Sequence, residues 1–125
     1  MSDPFIQEEA ERILDRFTTL PFDDCYPLSR DFESIPARTG IYGFLHQTQG
    51  ILYIGKAANI QRRVRNGHKA LAWAFIDRLN PDDVGVVTEV LRGSRSLLYL
   101  LDIEATMIQI ARPSYNIVIR QFKED

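Results

Sequence analysis

Residues 40–57 read GIYGFLHQTQGILYIGKA, and the fold turns on this stretch. Two short runs, Gly40–His46 and Ile51–Ile54, are dense in aromatic and β-branched side chains, and QTQG lies between them. That pattern predicts a β-hairpin. Alternation along the first strand puts Tyr42, Phe44 and His46 on one face. Tyr53 stands on the adjacent strand. A strand tyrosine ordinarily packs its ring and keeps its hydroxyl at the rim. Gly40, Gly43 and Gly55 read either as turn or bulge residues or as room for a backbone or ligand to come close.

Upstream of the hairpin, residues 5–18 predict an amphipathic helix, with Phe5, Ile6, Ala10, Ile13, Leu14 and Phe17 at helical spacing. Ser2 or Asp3 can cap it and Pro4 suits its first turn. Residues 19–37 are loop-like. Downstream, Asn59 caps a short helix that stops near Asn66-Gly67. A second helix covers Lys69–Leu79, and Val84–Leu91 reads as a third strand. A long helix starts at Ser94 or Ser96 and ends near Ala111, because the proline of RPSYN biases its predecessor away from helix. Ile117–Ile119 reads as a short extended tail. The expected architecture is α+β: a small three-stranded antiparallel sheet flanked by helices, with an extra N-terminal helix. The expected organisation is an acidic helix and loop over residues 1–33, then the main domain over 34–125, together forming one structural unit.

At 125 residues, with 45% hydrophobic and 26% charged side chains, the chain has the composition of an ordinary globular domain. Disorder, collagen and disulfide scaffolds are excluded. No apolar run approaches the roughly 18–20 residues that span a bilayer. The N-terminus lacks the basic start and apolar centre of a signal peptide. Cys25 is the single cysteine and His46 and His68 the two histidines, so no zinc cluster can form. A reduced, cytoplasmic protein with no membrane association is expected.

The formal net charge of −2 conceals a segregation. Residues 1–33 carry −6, residues 34–76 carry +6, and residues 77–125 carry −2. The middle stretch contains Arg38, Lys56, Arg62, Arg63, Arg65 and Lys69 and no carboxylate. Such a local field attracts phosphate; a solvated basic helix face is the plainer reading. Arg62 and Arg65 share a face of the short helix, whereas Arg63 lies towards Ile60 and Val64. Placed near the apolar side of the helix, Arg63 could be a buried phosphate ligand. Glu104 is anomalous. Its helical neighbours Leu100, Leu101, Met107 and Ile108 are all apolar, so it projects from the buried stripe. A carboxylate there is costly unless paired, hydrogen-bonded or metal-bound. A structural salt bridge is the alternative. Asp102 reads as solvated.

GIY at 40–42, YIG at 53–55, KAANIQRR after it, Glu104 on a later helix and a terminal RPSYN resemble the GIY-YIG nuclease family. The block is most similar to the N-terminal catalytic domain of the bacterial nucleotide-excision repair endonuclease, and it spans about residues 38–120. The resemblance implies metal-dependent hydrolysis of a DNA phosphodiester. It implies Tyr42 as general base towards the attacking water, with Tyr53 positioning water or phosphate and rivalling it as base. It further implies Gly55 as room for the backbone, Arg63 at the scissile phosphate, Glu104 as sole carboxylate metal ligand and Asn116 as a brace. Lys56 could lower a tyrosine pKa or touch phosphate. One Mg²⁺ or Mn²⁺ ion is expected, weakly held without substrate because one carboxylate is a thin site. His68 is kept among the catalytic candidates although it departs from the pattern: it stands five residues after Arg63 rather than four, and Asn66-Gly67 can carry it off the site. Arg62, Arg65 and Lys69 are expected to contact nucleic acid. The expected partners are DNA and a protein that supplies targeting. The acidic N-terminal segment is expected to shield the catalytic surface or bind that partner. The alternative function is a non-cleaving nucleic-acid-binding or assembly module on the same fold.

Overall fold

The structure, a computed structural model, describes residues 3–28 and 32–117. An N-terminal helix, α1 (Pro4–Thr19), is capped by Asp3, whose Oδ1 accepts from the Phe5 N–H at 2.8 Å. It ends where the Thr18 and Thr19 hydroxyls turn back to the carbonyls of Leu14 and Asp15. A two-residue strand, β1 (Tyr26–Pro27), follows, then β2 (Gly40–His46) and β3 (Gly50–Ala57). Two short helices, α2 (Ile60–Arg65) and α3 (Lys69–Ile76), lead to β4 (Val84–Val90). The last helices are α4 (Ser94–Leu98) and α5 (Leu100–Ala111), and residues 114–117 form a helical turn.

The sheet is antiparallel with strand order β1-β4-β2-β3. Three strands are those expected from composition. The fourth, β1, comes from the loop-like stretch and is too short to carry a periodic signal. The hairpin turn is tied by His46. Its Nδ1 accepts from the backbone N–H groups of Thr48 and Gln49, both at 3.1 Å, which satisfies a buried imidazole. The β2–β3 register slips between Phe44 and Leu45, and the extra residue, Leu52, is buried with Phe44. Gly40 is obligatory, because a Cβ there would run into the Glu89 carbonyl of β4.

Helices cover both sheet faces. On one face, Ile6, Ile13 and Phe17 of α1 and Ile103 and Met107 of α5 bury Ile41, Ile54 and Val87. On the other, Ile60 and Val64 of α2, Ala70 and Ala74 of α3, and Tyr115 bury Tyr42, Phe44 and Val86. The predicted long helix is bent at Tyr99. The hydrogen-bond ladder continues across the bend, from the Tyr99 N–H to Arg95 O and from the Ile103 N–H to Tyr99 O. The tyrosine ring leans on Phe5, 6.2 Å between centroids. Helix α3 stops at Ile76 rather than Leu79, since Arg78 takes a left-handed φ of 61°. Ile117 lies in the last helical turn; the remainder of the expected extended tail, like Ser2, is outside the described residues. None of the described helices is long and apolar enough to cross a membrane.

Candidate active site

Tyr42 faces Gly55 across the β2–β3 ladder. A Cβ at residue 55 would sit 2.6 Å from the Tyr42 Oη and 2.9 Å from the Tyr53 ring, so only glycine lets both rings settle here. Phe44 pairs with Tyr53, and the Tyr42 and Tyr53 rings lie 6.2 Å apart. Tyr42 is 1% exposed, whereas Tyr53 is half-buried.

His68 closes the cluster. Helix α2 does end at Asn66, and Gly67 takes a positive φ of 86°. That turn carries His68 to Tyr42, so its extra residue of spacing does not take it out of reach. Its Nε2 lies 2.7 Å from the Tyr42 Oη, and its ring stacks edge-on to Tyr53 at 4.6 Å. His68 is also the N-cap of α3, where its Nδ1 accepts from the Ala70 N–H at 3.0 Å. A ring nitrogen that accepts carries no proton, so in the neutral imidazole the proton is on Nε2. His68 therefore donates to Tyr42. The Arg63 Nε donates to the same oxygen at a long 3.5 Å. Arg63 itself is exposed rather than buried, reaching inward from α2.

Glu104 is half-buried on α5 beside the outer edge of β3. Burial raises its pKa, against the opposing pull of the Lys56 charge and of a hydrogen bond from the Lys56 backbone N–H. Its negative charge opposes ionisation of both Tyr42 and Tyr53, which places all three groups in one electrostatic neighbourhood. Burial drives the Tyr42 hydroxyl well above the ordinary tyrosine range, more than the Arg63 hydrogen bond lowers it. Tyr53 is raised for the same leading reason. Arg63 does favour the phenolate, as expected of a nearby cation, but desolvation outweighs it. Lys56 acts on Glu104 rather than on Tyr42.

A family model described as the UvrC-like GIY-YIG domain matches residues 38–117. The chain belongs to that family. It is 28% identical over 103 residues to UvrABC system protein C of Nautilia profundicola, covering 76% of this chain and 16% of the relative. It is 31% identical over 90 residues to the Brucella abortus protein of the same name, covering 71% of this chain and 14% of the relative. The chain thus corresponds to about one-sixth of the length of these curated relatives. The GIY-YIG N-terminal endonuclease domain of UvrC from Thermotoga maritima, solved as a point mutant with its catalytic divalent cation bound, superposes with a TM-score of 0.50. That comparison has 24% identity and covers 67% of this chain and 88% of that one, and it shows the shared fold.

Within the GIY-YIG frame, Asn116 spans the outer edge of β3. Its Oδ1 accepts from the Ile54 N–H and its Nδ2 donates to the Ile54 carbonyl, both at 2.8 Å. Tyr53 and Gly55 flank that clasped residue. The basic residues divide. Lys56, Arg62 and Arg63 line one polar cleft between the end of β3 and α2; Arg65 and Lys69 are exposed and do not line it. Asn59 and Asn66 also line it. In the sequence they read only as helix start and stop, and nothing in their spacing signals a cleft. Asp102 is exposed, as its mixed neighbours predict.

Proposed function

We propose that this domain is a divalent-metal-dependent DNA endonuclease in which Tyr42 takes the proton of the attacking water. The observation that carries the reading is the convergence of Tyr42, Tyr53, Arg63 and His68 with the half-buried Glu104. A purely binding module needs positive charge but no desolvated carboxylate, whose burial is costly.

The donor set suits a hard cation completed by substrate. Glu104 brings a carboxylate to the site, no group of three or more His, Cys, Asp or Glu residues forms a metal cluster among the described residues, and one N–H donor leaves carboxylate lone pairs unused. When bound, Mg²⁺ or Mn²⁺ supplies neutralisation of charge at the phosphate and leaving oxygen. The residues do the rest. His68 and Arg63 both direct N–H groups at the Tyr42 Oη and stabilise it as a phenolate. Since His68 donates, it does not compete for the Tyr42 proton. The Arg63 guanidinium, exposed at its outer side, meets a scissile phosphate in the fork geometry that suits arginine. Tyr53, the more open phenol, orients water or a phosphate oxygen. Asn116 holds the strand that carries it. Within a larger repair assembly of the kind the relatives' names denote, another protein directs this domain to its DNA.

The test is nicking of supercoiled plasmid and branched DNA with Mg²⁺, with Mn²⁺ and with chelator, beside a Glu104→Gln variant. Metal-dependent nicking that the variant lacks is expected. Folded, DNA-binding protein that never cleaves under any of these conditions returns the domain to the non-cleaving reading.

A further inference from the structure

The cleft between β3 and α2 has a volume of about 670 Å³ and is lined by Lys56, Asn59, Arg62, Arg63, Asn66 and Gly67. It runs from the end of β3 to the far end of α2, a helix of six residues. Six helical residues extend about 9 Å. The phosphates of one DNA strand recur every 3.4 Å along the duplex axis. The cleft therefore outlasts one phosphate. Its cations are also committed unequally. Arg63 donates to Tyr42, and Lys56 is drawn to Glu104. The Arg62 guanidinium has neither a hydrogen bond nor an ion pair with any described residue. No carboxylate occurs from residue 34 to residue 76 to supply one locally.

We propose that this cleft is a second phosphate subsite, in which Arg62 and Asn66 hold the backbone phosphate next to the scissile one on the cleaved DNA strand. The proposal rests on the nuclease reading and adds to it a strand path. Two consecutive phosphates are gripped, one by Arg63 beside Tyr42 and one by Arg62, so the backbone is held in line across the site rather than pivoting about a single phosphate. Asn66, with an amide that both donates and accepts, completes the second phosphate's shell. Arg65 and Lys69, off the cleft, add only diffuse attraction.

The experiment measures affinity of the full chain for a fluorescent duplex across a salt series in chelator, where cleavage is off. Each phosphate contact contributes about 0.9 to the slope of log affinity against log salt. Arg62→Ala is expected to reduce the slope by about 0.9, and Arg62→Lys to retain it. Arg95→Ala removes the same charge from α4, where Arg95 stacks on Phe5, and is expected to leave the slope unchanged. A duplex with one neutral methylphosphonate beside the mapped cleavage position should weaken binding of the unaltered chain and not of Arg62→Ala. An Arg62→Ala slope equal to that of the unaltered chain, in a protein that still cleaves, overturns the subsite alone. Equal losses in Arg62→Ala and Arg95→Ala overturn it too, as unspecific charge. Absence of any DNA binding by the unaltered chain overturns the nuclease reading together with the subsite.

Discussion

At Tyr42 burial and hydrogen bonding pull the proton in opposite directions. Burial raises its pKa, and the folded protein keeps the phenol neutral. The rate of cleavage should therefore climb as pH rises from 7 towards 10, and the climb should vanish in Tyr42→Phe. If Tyr53 were the base, Tyr53→Phe would flatten the profile instead. Stability carries the opposite sign. A folded pKa above the unfolded value of about 10 gives stabilisation that is complete below that value and lost as pH rises through the raised one. Melting temperature should fall in alkali for the unaltered chain and fall less for Tyr42→Phe. Glu104 tests a different balance. Its partner charge, Lys56, is exposed and stays hydrated without it, so Glu104→Gln should change stability by less than about 1 kcal/mol while abolishing cleavage. A loss of roughly 3–5 kcal/mol in urea unfolding would instead mark a structural ion pair.

Asn116 shows how one side chain works at the level of an element. It supplies both missing partners of Ile54, so Asn116→Ala leaves a backbone N–H and carbonyl of β3 to fend for themselves. A cost of about 1–3 kcal/mol is expected by chemical denaturation, with reduced cleavage because Tyr53 and Gly55 flank that residue. Elements of this kind were legible where sequence periodicity was strong. The hairpin, β4, α1 and α5 follow directly from alternation, β-branching and helical spacing. Glu104 was legible because a carboxylate among apolar neighbours is costly, although the exposure of Leu101 places it at the margin of the buried stripe rather than within it. What pattern could not supply was decided by single backbone conformations. Gly67 in the left-handed region swings His68 back to Tyr42, and Arg78 in the same region ends α3 early. The direction of the Tyr42 shift was also out of reach, because it depends on how dry the ring is, not on which cations stand near it in the chain.

Across the whole molecule, the N-terminal helix is part of the core. Helix α1 packs on the sheet face opposite Tyr42, with Ile13 and Phe17 wholly buried, so it does not shield the tyrosine cluster. Its acidic composition is partly spent internally. Glu9 pairs with Arg12, while Arg12 and Arg16 both reach Glu89 of β4. Phe17→Ala should cost about 3–5 kcal/mol in urea unfolding, with one cooperative transition. A separate arm would leave the main transition unmoved. The clasp of Asn116 on Ile54 also bears on how copies of the domain meet in concentrated solution. A sheet grows by recruiting a strand onto an open rim, and this is how folded proteins seed fibrils. Here the β3 rim is occupied at Ile54, and on the opposite rim the two-residue β1 ends in Pro27, which has no N–H to give. The Asn116 clasp thus also guards against self-templating, and its loss should show as turbidity on storage before it shows as unfolding.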